Sequence, residues 1–481
     1  MPWAPPMSCT VELRGSADSD LRLIVEEGLP LLRRFLVTQD RQLPKFVERE
    51  FDAFLNCRGP LSGFAWLHCE PCDHHRLVLF SCKTRGFCPS CAGRRMAERA
   101  AHWVDRVIPL VATRQWVLTV PWGRRWLLAR RPEIAEGVLQ VALREIARWY
   151  RQASGRRHGQ TGSVTAIQRF GSALNLNLHF HILQLDGVYD HGADGALRFF
   201  QVSPKTEDIE ALVERVGLKC ERWLAGQGFS GEAEDTEPDS GDDGEDAHGL
   251  LQFASLTNQI ATGRRAGKKV RRVQMLGGKE YALSDRCASF DGYNLHANVA
   301  IQASDRAGLE RLCRYMLRPP LAQGRIERLT GADGGSLVRV GMKRVFTDGT
   351  GAIELLPGEF VEKLAALIPP PRANLVIYSG VLAGNAALRG EVIPKVATST
   401  EAEREARAAK KLAKQEAKRS KRAEEALGWA ELLQRVFQVD GWQCPHCKGP
   451  MKLRAILKGP TPTYTRILNG LERATGPPLE A

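Results

Sequence analysis

The chain has 481 residues, 43% of them hydrophobic, which allows two to four domains with sizeable cores. Its 68 Lys and Arg outnumber 55 Asp and Glu, and the net charge of +13 with a pI near 9.3 favours a polyanionic partner, although a basic but ordinary soluble protein has the same balance. No apolar run approaches the roughly 18 residues needed to span a bilayer, and residues 1–18 lack the apolar stretch of a secretory signal. The expectation is a cytoplasmic protein, and twelve cysteines in that reducing compartment point to metal binding before disulfides.

In chain order, residues 20–56 carry apolar side chains in broken helical spacing and read as an N-terminal helical segment, 1–56. Most cysteines fall in 57–95. A helix is predicted over 96–111 and a strand over 115–121. A helix over 132–152 starts near Pro132 and carries Ile134, Val138, Val141, Ile146 and Trp149. Residues 174–182 then alternate strictly, which predicts a strand. Residues 229–248 are acidic, with Gly and Ser and few apolar residues, and read as a disordered insertion. A second alternating strand covers 293–302, a helix 304–317, and a hairpin 336–356 with Asp348 and Gly349 at its turn. Residues 400–426 predict a long helix of mixed charge, best read as a solvated spacer. These features divide the chain into 1–56, a cysteine-rich unit 57–112, a core in two parts, 113–228 and 249–395, a charged linker 396–428 and a closing segment 429–481.

Cys69-x-x-Cys72 and Cys88-x-x-Cys91, fifteen residues apart, have the spacing of two knuckles that complete one tetrahedral zinc site. Cys57, Cys82, His68, His74 and His75 are weaker candidates, as further ligands or as buried thiols and imidazoles. Cys444 and Cys447 form a third pair with no fourth following it, so a turn with two free thiols and a metal knuckle stand side by side. Arg94 and Arg95 follow the second knuckle, where a basic helix start suits phosphate contact.

On the alternating strand, Leu174, Leu176, Leu178, Phe180 and Ile182 share one face, and Asn175, Asn177, His179 and His181 the other. Two imidazoles two residues apart can grip one metal ion. On the helix at 304–317, Leu309, Leu312, Cys313, Met316 and Leu317 make an apolar stripe, while Arg311, Arg314 and Arg318 gather around Tyr315. A phenol among arginines suits attack on a phosphodiester, with the guanidinium groups holding the phosphate. The expected chemistry is cation-assisted cleavage by the Tyr315 hydroxyl and storage of the linkage as phosphotyrosine. Two histidines leave an ion under-coordinated, and His296, on its own alternating strand, is the candidate third ligand.

These pieces together resemble a known family. CEPCDHHRLVLFSCKTRGFCPSCAGRRMAERAAHWVDRVIP is similar to the zinc-binding domain of rolling-circle transposases of the insertion-sequence-ninety-one family, and LNLHFHILQLDGVYD resembles their His-hydrophobic-His (HUH) motif. YNLHANVAI, RLCRYMLRPPLA, TGRRAGKKV, LIPPPRANLVIYSGVLAGNAALR and WAELLQRVFQVDGWQCPHC extend the likeness over about 20–457. The resemblance implies an α+β fold: an antiparallel-sheet, ferredoxin-like HUH endonuclease core behind an N-terminal four-cysteine zinc ribbon. It implies Mg or Mn at His179 and His181, Tyr315 as nucleophile, and nicking of single-stranded mobile-element ends through a 5′-phosphotyrosine. Arg264, Arg265, Lys268 and Lys269 are then expected to contact the DNA backbone. Two departures stand out. Arg311 occupies the position where two-tyrosine members carry a second tyrosine, so the chain resembles the single-tyrosine branch. Ser379 and Gly384 stand where the family usually shows His and Pro. A replication initiator or relaxase shares the HUH pair, and a non-catalytic zinc-ribbon DNA-binding protein or inactive remnant would keep the cysteines alone.

Overall fold

A computed structural model describes residues 9–10, 20–57, 63–229, 247–275, 285–322, 324–331, 334–393 and 442–457. The chain begins with two amphipathic helices, α1 (Asp20–Val37) and α2 (Lys45–Leu55), that bury Ile24, Leu32, Phe51 and Phe54. A hairpin of β1 (Phe64–Cys69) and β2 (His74–Leu79) follows, then α3 (Pro89–Arg106). The helix predicted at 96–111 starts earlier because Pro89 sits in its first turn, where a missing N–H costs nothing.

The central sheet is built from β3 (Thr113–Thr119), helix α4 (Pro132–Ala153), β4 (Gly162–Phe170), β5 (Leu176–Leu185), helix α5 (Thr206–Gly226), β6 (Cys287–Phe290) and β7 (Tyr293–Ile301). Helix α6 (Arg306–Met316) comes next, then α7 (Pro357–Leu367) and β8 (Val376–Gly380). The six strands run β6-β7-β3-β5-β4-β8, each antiparallel to its neighbours. Within it, β3-α4-β4-β5-α5-β7 forms a βαββαβ unit with the last strand beside the first.

The alternation in β5 divides this sheet into two faces. Trp116, Leu118, Phe180 and Ile182 face the helices, with the Trp116 ring edge-on to Trp149 and Tyr150 of α4. Val164, Ala166 and Leu183 pack on the other side against Trp103 of α3 and Leu309, Leu312 and Met316 of α6. The strand starts two residues later than the alternation suggests, because Leu174 closes a turn in the left-handed region at φ 52°.

Helices α4 and α5 meet at Gly137. A Cβ there would lie 2.0 Å from the Trp223 ring. In an exposed helix, Gly→Ala gains about 0.5–1 kcal/mol. Here Gly137→Ala should instead lower stability by about 1–3 kcal/mol through overpacking, read as a drop in the denaturant midpoint.

The predicted hairpin is present as strands Ser336–Gly341 and Thr350–Leu355, paired antiparallel, with Gly349 at φ 82°. They belong to a second sheet with Ile326–Thr330 and Arg271–Gln274. Residues 230–246 of the expected insertion and the charged helix expected at 400–426 lie outside the described residues. The helix Ala247–Leu256 already begins inside the expected insertion, and His248 is buried with its Nε2 3.1 Å from the Ala365 carbonyl oxygen. The closing segment is not a separate unit in its described part: β9 (Lys452–Leu457) pairs antiparallel with β1 and extends the hairpin sheet of the cysteine-rich unit. Among the described residues, no helix is long and apolar enough to cross a membrane.

Candidate functional site

β5 lies between β3 and β4, so its polar face looks out from the middle of the sheet. His179 pairs across the ladders with Thr119 and Gln168, and His181 with Val117 and Ala166. The two imidazoles stand 4.9 Å apart, centroid to centroid, and are 8% and 3% exposed. Burial pushes His179 down to about 4 and His181 well below its ordinary value, with Arg318 adding repulsion in both cases, so both rings are neutral at pH 7, as metal ligation requires. His179 Nδ1–H donates to the Asn177 carbonyl oxygen at 2.9 Å, which leaves Nε2 with its lone pair. His181 Nδ1 accepts from the Gln115 Nε2–H at 2.9 Å, and metal ligation through Nε2 would call for that amide to turn over, its oxygen then accepting from Nδ1–H. That Nε2 is buried and has no hydrogen-bond partner among the described residues.

Helix α6 crosses this face. Its Asp305 caps the N-terminus by accepting from the Gly308 N–H at 2.7 Å. The Tyr315 ring stands perpendicular to His181, 5.7 Å away, and is 39% exposed. The Arg318 guanidinium lies 4.8 Å and the Lys343 ammonium 4.6 Å from the Tyr315 ring centre. The expected arginine cluster is only partly at the tyrosine: Arg314 is paired with Glu310 at 2.5 Å and Arg311 is exposed on the helix. Lys343, from the loop before the Thr350–Leu355 strand, carries no motif that would have marked it.

His296 does not join the pair. It stands opposite Val117, which stands opposite His181, so two strand spacings, about 10 Å, separate the two histidine backbones. Among the described residues, His179, His181 and His296 do not form a set of ligand atoms within 4.8 Å of one another. Gln168, which has no sequence signature, is better placed. It is directly across from His179 on the same face. Its Nε2 donates to the Met316 carbonyl at 2.6 Å, one of the free carbonyls at the end of α6. Its Oε1 is buried without a hydrogen-bond partner among the described residues. Ser379 pairs with Ser163, three residues from Ala166, so position 379 lies on the sheet face opposite the histidines.

The single four-cysteine site expected from the two knuckles is not present, because the fold separates them. Cys57, Cys82, Cys88 and Cys91 form one cluster, and Cys69, Cys72, Cys444 and Cys447 another. Cys57 follows α2, Cys82 sits in the loop after β2, Cys88 precedes α3 and Cys91 is in its first turn. The sulfurs stand 3.7 Å (Cys57–Cys91), 3.7 Å (Cys57–Cys88) and 3.2 Å (Cys82–Cys91) apart. A disulfide would need about 2.0 Å, whereas four thiolates about 2.3 Å from one zinc stand about 3.8 Å apart.

A third cluster, His68, Asp73 and His75, has a different character. Trp66 Nε1–H donates to His75 Nδ1 at 2.9 Å, and the Arg454 guanidinium donates to His68 Nδ1. Both Nδ1 atoms being acceptors, both protons sit on Nε2 and face Asp73 at 2.8 and 3.5 Å. Protonated nitrogens cannot ligate a metal, so this is a hydrogen-bonded brace of the hairpin.

The expected DNA contacts divide in the same way. Arg95 donates to the Lys83 and Thr84 carbonyls, Arg265 pairs with buried Glu359 at 3.1 Å, and Lys269 donates to the Thr257 carbonyl. Arg94, Arg264 and Lys268 are exposed. A groove between α3 and β4 is lined by Arg85, Arg95, Arg99, Gln168 and Arg318 and reaches the end of α6.

Two family models match the chain. One, described as "Putative transposase", covers residues 162–389 and so contains Gln168, His179, His181 and Tyr315. The other, described as "Transposase zinc-binding domain", covers 32–120 and contains the Cys57 cluster together with Cys69 and Cys72. Cys444 and Cys447 lie outside both. No curated protein and no solved structure matches the chain.

Proposed function

We propose, for a chain that belongs to the insertion-sequence-ninety-one family of transposases, that it nicks single-stranded DNA at the ends of a mobile element and holds the cut strand on Tyr315. One observation carries this reading: Tyr315 stands over a buried, neutral histidine pair, with Arg318 and Lys343 against its ring. The βαββαβ order of the central sheet is that of a ferredoxin-like core, in keeping with an HUH endonuclease.

His179 and His181 through Nε2, and Gln168 through Oε1, are the residues that would hold a divalent cation, with the Gln115 amide turned so that its oxygen takes the His181 Nδ1–H. His181 Nε2 and Gln168 Oε1 are buried and without hydrogen-bond partners among the described residues, which suits that role. A bound Mg or Mn would polarise the scissile phosphate and offset its charge. The Tyr315 hydroxyl attacks phosphorus and loses its proton to solvent; the bond to the 3′ oxygen breaks, and that oxygen leaves as a 3′ hydroxyl after taking up a proton. Arg318 and Lys343 stand where negative charge gathers during the attack. Gln168 fixes the end of α6 through Met316, and so holds the phenol over the pair. The arginine-lined groove beside Gln168 offers the strand a path to the site. The reverse reaction with a new 3′ hydroxyl joins strands with no other energy source.

The test is incubation with labelled single-stranded terminus DNA and Mg or Mn. A protein–DNA adduct that survives denaturant is expected. Its absence with several authentic termini would leave a DNA-binding protein without nicking activity.

Gln168 gives a separate prediction. Loss of groups around a bound metal typically weakens it by about 10–100-fold, so Gln168→Ala should raise the cation concentration for half-maximal nicking by at least about tenfold. Gln168→Glu keeps a ligand oxygen but loses the donor to Met316, and should retain cation affinity with a slower maximal rate. An unchanged cation dependence in Gln168→Ala would remove Gln168 from the ligand set.

A further inference from the structure

Cys69 and Cys72 are at the turn of the β1–β2 hairpin, and Cys444 and Cys447 come from a short knuckle 372 residues beyond Cys72. The two pairs converge. Cys69 and Cys447 sulfurs are 3.4 Å apart, and Cys72 and Cys444 sulfurs 3.6 Å. All four sulfurs lie within 4.8 Å of one another. Cys69 and Cys444 are fully buried, packed with Leu67 and Met451 in a small apolar cluster of their own. The knuckle is closed by the Cys444 N–H donating to the Gly449 carbonyl at 2.8 Å, and the Gly449 N–H points at Cys447 sulfur at 3.4 Å.

These spacings are too long for disulfides, at about 2.0 Å, and near the edge of a tetrahedral zinc thiolate site, about 3.8 Å. Four thiols packed this closely without a cation would repel once ionised. We infer that Cys69, Cys72, Cys444 and Cys447 bind a second structural zinc ion, separate from the one at Cys57, Cys82, Cys88 and Cys91, and that this ion fastens the C-terminal strand β9 to the N-terminal hairpin. The ladder alone is a thin attachment. β9 lies at the sheet edge with Ile456 and Leu453 exposed, and its ion pairs to Glu70, from Lys452 and Arg454, are on the surface. The metal is the buried link, so C-terminal docking becomes zinc-dependent while the nicking sheet does not.

The full-length protein tests this by its zinc content. Elemental analysis should give two zinc ions per wild-type chain and one in Cys444→Ser/Cys447→Ser. That variant should also be cut faster by trypsin after Lys448, Lys452 and Arg454. A second measurement needs no variant: in native zinc-loaded protein, Cys444 and Cys447 should resist alkylation, and a strong chelator should expose both. One zinc per wild-type chain, two in the double variant, or ready alkylation of Cys444 and Cys447 with zinc bound would each overturn the proposal.

Discussion

Tyr315→Phe is expected to fold as the wild type does and to form no denaturant-stable DNA adduct. Phenylalanine keeps the ring that meets His181, Arg318 and Lys343, and the side chain is 39% exposed, so little packing changes. A substitution of this kind at a partly exposed site shifts stability by no more than about 0.5 kcal/mol. What disappears is the oxygen proposed to take the phosphoryl group. The loss should be complete in the adduct assay, while retention on single-stranded DNA stays near wild type because the cationic groove is untouched. Arg311 stands one helical turn before Tyr315 and cannot substitute as a nucleophile. An adduct formed by Tyr315→Phe would move the nucleophile elsewhere; an adduct lost together with DNA binding and cooperative unfolding would show that the hydroxyl is needed for folding.

The periodic parts of this site are legible in the amino-acid sequence. The alternation of 174–182 gives a strand with both histidines on one face, and the cap and apolar stripe of 304–317 give a helix with Tyr315 off the stripe. What periodicity does not carry is who stands next to whom. His296 is on a strand of the right kind, but the order β7-β3-β5 inserts Val117 between it and His181. Gln168 matters because β4 pairs with β5 in one register, and a glutamine has no spacing rule of its own. The cysteine pairs are recognisable as knuckles, yet local spacing does not say which knuckles share an ion. Cys88 and Cys91 are completed by Cys57 and Cys82, while Cys69 and Cys72 meet a pair more than 370 residues away. Basic runs mislead for a related reason: Arg95, Arg265 and Lys269 make internal contacts that composition cannot distinguish from free charge.

The same blindness applies to Asp186, where the largest stability effect is expected. Asp186→Ala should cost about 3–5 kcal/mol, the range for removing one partner of a buried ion pair. Asp186 follows β5 and is 1% exposed; Arg114, on β3, is 3% exposed. The guanidinium meets the carboxylate in a two-pronged pair, Nε to Oδ1 and Nη2 to Oδ2, both at 2.8 Å. Tyr150 donates its hydroxyl to the same carboxylate at 2.8 Å, and Ser203 at 3.2 Å. The third prong of Arg114 donates at 2.8 Å to the Ala297 carbonyl, where β7 slips register against β3 between His296 and Val299. One carboxylate therefore ties the end of the histidine strand to β3, to the irregular part of β7 and to helix α4. Without it, Arg114 keeps its charge in a place that water does not reach, and Tyr150 loses its acceptor. Urea unfolding followed by the fluorescence of Trp116 and Trp149, which adjoin Tyr150, would read the loss. Arg114→Met/Asp186→Leu removes both charges together and should recover most of the stability that Asp186→Ala loses. If the double variant is as unstable as the single one, shape and hydrogen bonding rather than the orphaned charge hold this corner of the sheet.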